Sequence, residues 1–203
     1  MIELYSGTPG SGKSLHCADR IIRLNRHRKL VITNFDIDKN NKSLKYPELI
    51  EYIDNSKLTP DKLYDISIRY FEDRKRKESQ IILFIDEAQL LFNSRDFYTK
   101  GRMAWLSFFS QHRKYGFDVV LVAQFDLMID KQLRSLIEYQ YFHRKVSNFG
   151  LFGRIISLLF FGNLFICIKQ WYPLNQTLGH EFFTAEKKLY SIYDTFAHFE
   201  NAT

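Results

Sequence analysis

The chain has 203 residues, of which 45% are hydrophobic and 26% are charged, and its formal net charge is +6 at pH 7. These proportions exclude a disordered chain and are typical of a globular protein of about one domain. With two cysteines, Cys17 and Cys167, the chain has neither a disulfide framework nor a four-cysteine zinc site, which fits a reducing compartment. The moderate positive charge permits an anionic partner, such as nucleic acid or a lipid surface, without requiring one.

The first part of the chain alternates short apolar runs with helical patterns. Residues 2–5 form an apolar run before a glycine-rich segment, and residues 14–26 carry apolar side chains at helical spacing. Residues 30–33 predict a second strand. A polar stretch without clear periodicity follows, and it ends where Pro60 opens a helix with Thr59 as its N-cap.

Two uninterrupted apolar runs, at residues 81–85 and 119–123, are typical of strands buried on both faces. Residues 103–114 predict a helix between them, and Gly116 is well placed to end it. Residues 129–137 have a helical pattern and residues 138–143 an extended one. This alternation predicts an α/β core over residues 1–145, with a mainly parallel central sheet flanked by helices.

Residues 146–203 are predicted to form a small β-rich annex and tail in the same globule. The apolar stretch of 14 residues from 155 to 168 is interrupted by Gly162 and Asn163, a pair that favours a turn between two strands. The stretch is also shorter than the roughly 20 residues that a membrane-spanning helix needs. We therefore predict a buried β-hairpin, and the alternative is a segment that enters a membrane.

The first predicted strand is followed by a segment of eight residues that matches the pattern G-x-x-x-x-G-K-[ST] in full. They are Gly7, Thr8, Pro9, Gly10, Ser11, Gly12, Lys13 and Ser14. Glycines let backbone N–H groups turn inward around an anion, and the loop precedes a helix whose positive end also favours anions. In such a P-loop, or Walker A motif, Lys13 would reach the β- and γ-phosphates of ATP and the Ser14 hydroxyl would ligate Mg²⁺.

Asp86 and Glu87 follow the apolar run at 81–85, as in a Walker B motif. A carboxylate at the carboxyl end of a buried parallel strand lies at the ligand-binding edge of the sheet. Asp86 is therefore predicted to hold Mg²⁺, and Glu87 to act as the general base that polarises the attacking water. Gln124 ends the strand at 119–123. If that strand neighbours the Asp86 strand, its amide could orient water or sense the γ-phosphate, and the alternative is a polar residue that only ends a strand.

Arginines are the remaining catalytic candidates, because oligomeric P-loop proteins commonly receive an arginine finger from a neighbouring subunit. Five of the arginines after the second motif are considered: Arg95, Arg102, Arg113, Arg134 and Arg144. Arg113, before the 119–123 strand, and Arg134, after it, are the selected candidates, and the favoured alternative for each is an ordinary solvated or ion-paired side chain.

The histidines are dispersed along the chain, and neither cysteine has a CxxC partner, so we predict no histidine or cysteine metal site. They are His16, His27, His112, His143, His180 and His198.

Residues 85–89 (IDEAQ) and 112–124 (HRKYGFDVVLVAQ) resemble the zonular occludens toxin family, which includes the gene I assembly protein of filamentous phages. The glycine-rich motif and residues 190–195 fit the same pattern, so the resemblance spans nearly the whole chain. It implies a Mg²⁺-dependent P-loop ATPase on the cytoplasmic side of the bacterial inner membrane that drives filamentous phage assembly and export. It also implies relatives among ring-forming DNA-translocating ATPases.

The resemblance further implies a homo-oligomer that contacts phage assembly or secretion proteins, with single-stranded DNA or coat protein as further contacts. Family members typically continue into a membrane-spanning helix. We expect membrane attachment through a segment absent from this chain, and the chain alone to be soluble or peripheral.

Other functions remain open. A DNA-translocating or packaging ATPase unrelated to phage extrusion would use the same catalytic residues. A small-molecule kinase is less favoured, because Glu87 directly after the Mg²⁺ aspartate favours water activation. A nucleotide-binding module without hydrolysis is disfavoured by four intact residues: Lys13, Ser14, Asp86 and Glu87.

Overall fold

A computed structural model describes residues 1–94, 101–160 and 163–192 of the protein. Within these ranges one sheet of eight strands forms the centre of the fold. In chain order the strands are β1 (Ile2–Ser6), β2 (Leu30–Thr33), β3 (Ile50–Tyr52), β4 (Ile81–Ile85), β5 (Phe117–Ala123), β6 (Tyr139–Lys145), β7 (Leu164–Trp171) and β8 (Gln176–Thr184). The helices are α1 (Lys13–Arg26), α2 (Pro60–Tyr70), α3 (Arg102–Gln111), α4 (Lys131–Arg134), α5 (Gly150–Leu159) and α6 (Lys187–Tyr190).

The strands lie in the order β3-β2-β4-β5-β1-β6-β7-β8. The first six strands in this order, β3, β2, β4, β5, β1 and β6, are all parallel to their neighbours. Strand β7 is antiparallel to both β6 and β8. The predicted α/β class with a mainly parallel sheet is therefore confirmed. Because the parallel strands share one direction, the carboxyl ends of β1, β2, β4 and β5 lie at the same edge of the sheet.

Strands β4 and β5 are buried along their full length, as their uninterrupted apolar runs predict. Ile81, Leu83 and Ile85 belong to the hydrophobic core on one face of the sheet, while Ile82 and Phe84 belong to the core on the other. This alternation is what the two-residue period of a strand requires when helices cover both faces.

Helices cover the two faces unequally. On one face, α2, α3 and α4 contribute Leu63, Phe108 and Leu133 to the core. On the other face, α1 contributes Ile21 and Ile22, and the short α6 contributes Leu189. The predicted start of α2 is also confirmed, because the Thr59 side chain accepts a hydrogen bond from the Lys62 amide at 3.3 Å.

The predicted buried hairpin over residues 155–168 is wrong in its first half. Residues 155–159 lie in α5, and the apolar side chains of this helix point outward: Leu151, Phe152, Ile155, Ile156, Leu158 and Leu159 are exposed. The buried positions are the small residues Gly153 and Ser157, four residues apart and thus on one helical face. The run is therefore helical in period, and length and apolarity alone did not distinguish the two structures.

The second half of that stretch is a strand, as predicted, but β7 forms its hairpin with β8 through the turn at Tyr172–Leu174. Gly162, half of the predicted turn, lies outside the described residues. Among the described residues, no helix combines the length and the apolarity needed to cross a bilayer.

Candidate functional site

The glycine-rich loop (residues 7–14) joins the carboxyl end of β1 to the start of α1. Gly7 has a φ of +143° and Gly10 one of +71°, values that L side chains rarely adopt. A Cβ atom at Gly7 would lie 2.4 Å from the His143 carbonyl oxygen, so the loop runs directly against β6. Thr8, Pro9 and Gly10 are exposed at its tip. The sequence pattern therefore has the strand–loop–helix context that it requires.

Lys13 folds back over this loop. Its Nζ atom donates hydrogen bonds to the carbonyl oxygens of Gly7 at 2.6 Å and Thr8 at 3.2 Å. Burial lowers the pKa of Lys13, and the nearby carboxylates of Asp86 and Glu87 oppose that shift. The ammonium is thus partly desolvated, and it interacts electrostatically with both acidic residues of the second motif.

The two serines of the loop lie in different settings. Ser11 is almost completely buried at 1% exposure, and its Oγ atom has no hydrogen-bond partner among the described residues. A buried hydroxyl without a partner is costly, and such groups are common where a ligand completes the hydrogen bonding. Ser14, in the first turn of α1, is half-buried, which leaves its hydroxyl accessible as an oxygen ligand.

Asp86 directly follows β4 and is held by Asn34, which directly follows the neighbouring strand β2. The Asn34 side chain accepts a hydrogen bond from the Asp86 amide at 2.7 Å and donates one to the Asp86 carbonyl at 2.9 Å. Asn34 also donates to Asn55 Oδ1 at 2.8 Å. The sequence interpretation missed this role of Asn34. Its position just after a buried strand, at the same sheet edge, is the signal that could have identified it.

Glu87 turns the chain out of the sheet. Its backbone has φ 47° and ψ 45°, the left-handed region, which is uncommon for a residue other than glycine and costs roughly 1–2 kcal/mol. The amide of Glu87 donates to Asp86 Oδ1 at 2.8 Å, and its own exposed carboxylate accepts a hydrogen bond from the Gln89 side chain. Adjacent residues thereby direct their carboxylates differently, although the strand immediately before them is regular.

Gln124 follows β5, which pairs with β4 on one side and with β1 on the other. The strand that ends before Gln124 therefore does neighbour the strand that ends before Asp86, as the role predicted for Gln124 requires. Its carbonyl oxygen accepts a hydrogen bond from the Gly7 amide at 3.2 Å. The backbone of Gln124 thus anchors the first residue of the glycine-rich loop.

The candidate arginines have partners away from the glycine-rich loop. Arg113 precedes β5, at the amino-terminal edge of the sheet, where it forms an ion pair with Glu138 at 2.7 Å. Arg134 contacts the Tyr172 hydroxyl, whose hydrogen bond to Asp126 is 2.9 Å long. Within one chain, Arg113 therefore lies at the edge of the sheet opposite the loop.

Of the other arginines, Arg102 pairs with Asp130 at 2.8 Å, and the Arg144 guanidinium lies 4.2 Å from the ring centre of Phe149. Arg95 lies outside the described residues.

Although the histidines and cysteines are dispersed along the sequence, the fold brings three of them together. His16 on α1, His143 on β6 and Cys167 on β7 are all buried, and their ligand atoms lie within 4.8 Å of one another. Burial lowers the pKa of His16 to about 2 and that of His143 to about 4, and it raises that of the Cys167 thiol to about 12. Sequence spacing could not reveal a cluster drawn from three distant elements.

A glycine-rich loop between a parallel strand and a helix, with Asp86 at the end of a second strand nearby, defines the P-loop nucleoside triphosphatase fold. Solved structures with this fold align over most of the chain. The genome packaging NTPase B204 from Sulfolobus turreted icosahedral virus 2, in complex with ATP-gammaS, is 16% identical with a TM-score of 0.55, covering 91% of this chain and 97% of that one.

The chain belongs to the zonular occludens toxin family, whose model matches residues 1–164. The resemblance inferred from the IDEAQ segment and residues 112–124 is thus confirmed. The N-terminal domain of zonular occludens toxin from Neisseria meningitidis is 20% identical with a TM-score of 0.57, covering 95% of this chain and 98% of that one.

A curated relative is the Gene 1 protein of Enterobacteria phage I2-2, which is 28% identical over 211 aligned positions. The alignment covers 96% of this chain and 56% of the relative, so the chain spans about half the length of that protein.

Proposed function

We propose that the chain is an ATP-binding and ATP-hydrolysing motor domain that drives filamentous phage assembly and export at the bacterial inner membrane. The observation that carries the proposal is that the glycine-rich loop with Lys13 follows β1, Asp86 and Glu87 follow β4, and both strands pair parallel with β5, which places the loop and the two acids at one carboxyl edge of the sheet. A cation for phosphate, a carboxylate for a metal ion and a second carboxylate for water are what triphosphate hydrolysis requires.

Nucleotide binding is assigned to the glycine-rich loop. Its backbone N–H groups and the N-terminus of α1 attract the phosphates, and Lys13 exchanges its bonds to the Gly7 and Thr8 carbonyls for bonds to phosphate oxygens. The donors Ser14 and Asp86 fit Mg²⁺, because both offer hard oxygen ligands at one sheet edge. When bound, Mg²⁺ supplies positive charge that offsets the charge of the phosphates.

Hydrolysis is assigned to Glu87, which accepts the proton of the attacking water as the general base. Gln124, fixed through its carbonyl to Gly7, orients that water or senses the γ-phosphate. Arg113 and Arg134 are kept as arginine fingers for a neighbouring subunit of a homo-oligomer. Arg113 suits this role better, because it is 52% exposed and held at the far edge of its own sheet by Glu138.

The phage role draws support from family membership and from the Gene 1 relative. Within this proposal the partners are other copies of the chain, phage assembly or secretion proteins, and single-stranded DNA or coat protein. Residues 1–145 are the ATPase core, and residues 146–203 form the annex. Within the proposal, the domain works on the cytoplasmic side of the inner membrane.

A second candidate function is DNA translocation or packaging unconnected to phage extrusion, and the fold similarity to the packaging NTPase B204 favours it. The two functions differ in what stimulates turnover. A packaging ATPase is expected to release phosphate faster when double-stranded DNA is added, whereas an export motor is expected to respond to coat protein or to vesicles instead.

The direct test of nucleotide binding is a calorimetric titration of ATP and Mg²⁺ into the chain and into Lys13→Ala. Charge-assisted hydrogen bonds to phosphate contribute about 1.5–3 kcal/mol each, so the variant is expected to lose about 100-fold in affinity. Lys39→Ala is the matched control, because Lys39 is exposed and outside the loop. Equal affinity for ATP in Lys13→Ala and Lys39→Ala would contradict the assignment.

A further inference from the structure

The cluster of His16, His143 and Cys167 lies directly behind the glycine-rich loop. His16 Nδ1 and His143 Nε2 are 2.7 Å apart, and Cys167 Sγ lies within 4.8 Å of a ring nitrogen of each histidine. Two imidazoles and one thiol form a ligand set that suits Zn²⁺ and chemically similar cations, whereas Mg²⁺ prefers oxygen ligands. Their convergence from α1, β6 and β7 is set by the fold and not by a local motif.

Hydrogen bonding orients the two rings for a cation. His143 Nδ1 lies 3.2 Å from the Ser6 carbonyl oxygen, which can only accept, so Nδ1 carries the ring proton and Nε2 keeps its lone pair. His16 Nδ1 must then donate the proton in the contact between the rings. Tyr5 holds both rings in place, with its centre 4.7 Å from that of His16 and 5.1 Å from that of His143. Such outer contacts fix the tautomers of metal-binding histidines.

The cluster borders a cavity at His16. This cavity of about 230 Å³ has His16 in its wall, together with the acidic residues Asp19, Glu181 and Glu186 and the basic Arg23. Glu181 stands directly opposite Cys167 in the β7–β8 pairing and therefore projects from the same face of the sheet. Glu181 is exposed and is not one of the three residues whose ligand atoms lie within 4.8 Å of one another, so it becomes a fourth, oxygen ligand only if its side chain turns toward the cation.

We propose that His16, His143 and Cys167 bind one Zn²⁺-class cation, with Glu181 or water as the fourth ligand. The cation replaces the proton between the two rings. The His16 proton moves from Nδ1 to Nε2, and the Cys167 thiol loses its proton, so one proton is released for each cation bound.

The bound cation would fix the glycine-rich loop against the last strands of the sheet. Its ligand His16 lies on the helix that begins at Lys13, and the His143 carbonyl lies against Gly7. The site is separate from the proposed Mg²⁺ ligands Ser14 and Asp86, so its occupancy can be measured without nucleotide.

The test uses the chain after treatment with a chelator, titrated with Co²⁺ and then with Zn²⁺. Cobalt coordination by a thiolate gives a near-ultraviolet charge-transfer band, and Zn²⁺ should displace Co²⁺ and remove that band. Loss of an outer-shell partner already costs about 10–100-fold in metal affinity, so Cys167→Ser is expected to lose the band and at least about 100-fold in Zn²⁺ affinity. Cys17→Ser is the matched control, because Cys17 is the other buried thiol, and it should keep both.

Three results would overturn the proposal. The first is a chain that shows no thiolate band with Co²⁺. The second is a band that persists in Cys167→Ser. The third is a cation that binds without giving the thiolate band and no longer binds to Glu181→Gln. That result would place the cation on the acidic rim of the cavity. Because Cys167→Ser could fail to fold, the melting temperature of the unmodified chain and of Cys17→Ser is measured with and without Zn²⁺, and both are expected to rise.

Discussion

Replacing Gly7 with alanine is expected to destabilise the chain much more than replacing Gly10, although both glycines belong to one loop motif. A Cβ atom at Gly7 would lie 2.4 Å from the His143 carbonyl oxygen and 2.7 Å from Ser11 Oγ. At Gly10 the same atom would meet nothing within 4 Å. Both positions have a positive φ, so both substitutions strain the backbone, but only Gly7→Ala also forces β6 to move.

The expected costs follow from these two terms. Strain at a positive φ costs about 1–2 kcal/mol, which is the full expected cost of Gly10→Ala. Overpacking against backbone adds about 1–3 kcal/mol at Gly7, for a total near 4 kcal/mol. For a chain of this size each kcal/mol lowers the melting temperature by about 2–4 °C, so Gly7→Ala should lower it by about 10 °C or more. Urea and thermal unfolding followed by circular dichroism measure both variants, and equal stability of the two would refute the described path of the loop.

Two further predictions concern stability. Glu3→Gln leaves the largely buried Arg20 guanidinium without its paired carboxylate and is expected to lower the free energy of unfolding by about 3 kcal/mol. Asp19→Asn removes the exposed pair with Arg23 and should lower it by no more than about 0.5 kcal/mol. Similar losses for the two variants in urea unfolding would contradict the assigned burial. Thr59→Ala removes the N-cap hydrogen bond of α2 and is expected to lower the free energy of unfolding by about 1 kcal/mol, whereas Thr59→Ser keeps the hydroxyl and most of that stability. An Ala variant as stable as the Ser variant would show that the cap contributes nothing.

Much of the parallel core could be predicted because its signals are local. The run at 81–85 is apolar at every position, which is needed only where both faces of a strand are covered. The glycine-rich loop combines residue spacing with a strand before it and a helix after it, so its place in the fold follows from a single segment.

Features that depend on long-range packing were not predictable in the same way. The apolar side chains of α5 are exposed, so hydrophobicity gave no guide to burial there, and the helical period is visible only through the small buried residues Gly153 and Ser157. The His16–His143 contact joins residues separated by 127 positions. Arg113 and Gln124 are close in sequence, but they lie at opposite edges of the sheet. The reason is that the whole of β5 lies between them, with Arg113 before its first residue and Gln124 after its last.

Glu87 tests the central claim most directly, because its proposed role is in hydrolysis and not in binding. Glu87→Gln keeps the shape and hydrogen-bonding capacity of the side chain but cannot accept a proton. The carboxylate makes little contact with the ground-state nucleotide in this account, so its removal changes the transition state more than the bound state. Glu72→Gln, at an exposed position after α2, is the matched control.

The measurement is kcat for phosphate release, taken beside ATP affinity on the same samples of the unmodified chain, Glu87→Gln and Glu72→Gln. A general base contributes about 10²–10⁴-fold in rate, so we expect Glu87→Gln to retain ATP affinity while its kcat falls about 100-fold or more. A kcat within about threefold of the unmodified chain would contradict the account and make Gln124 the first candidate for positioning the water.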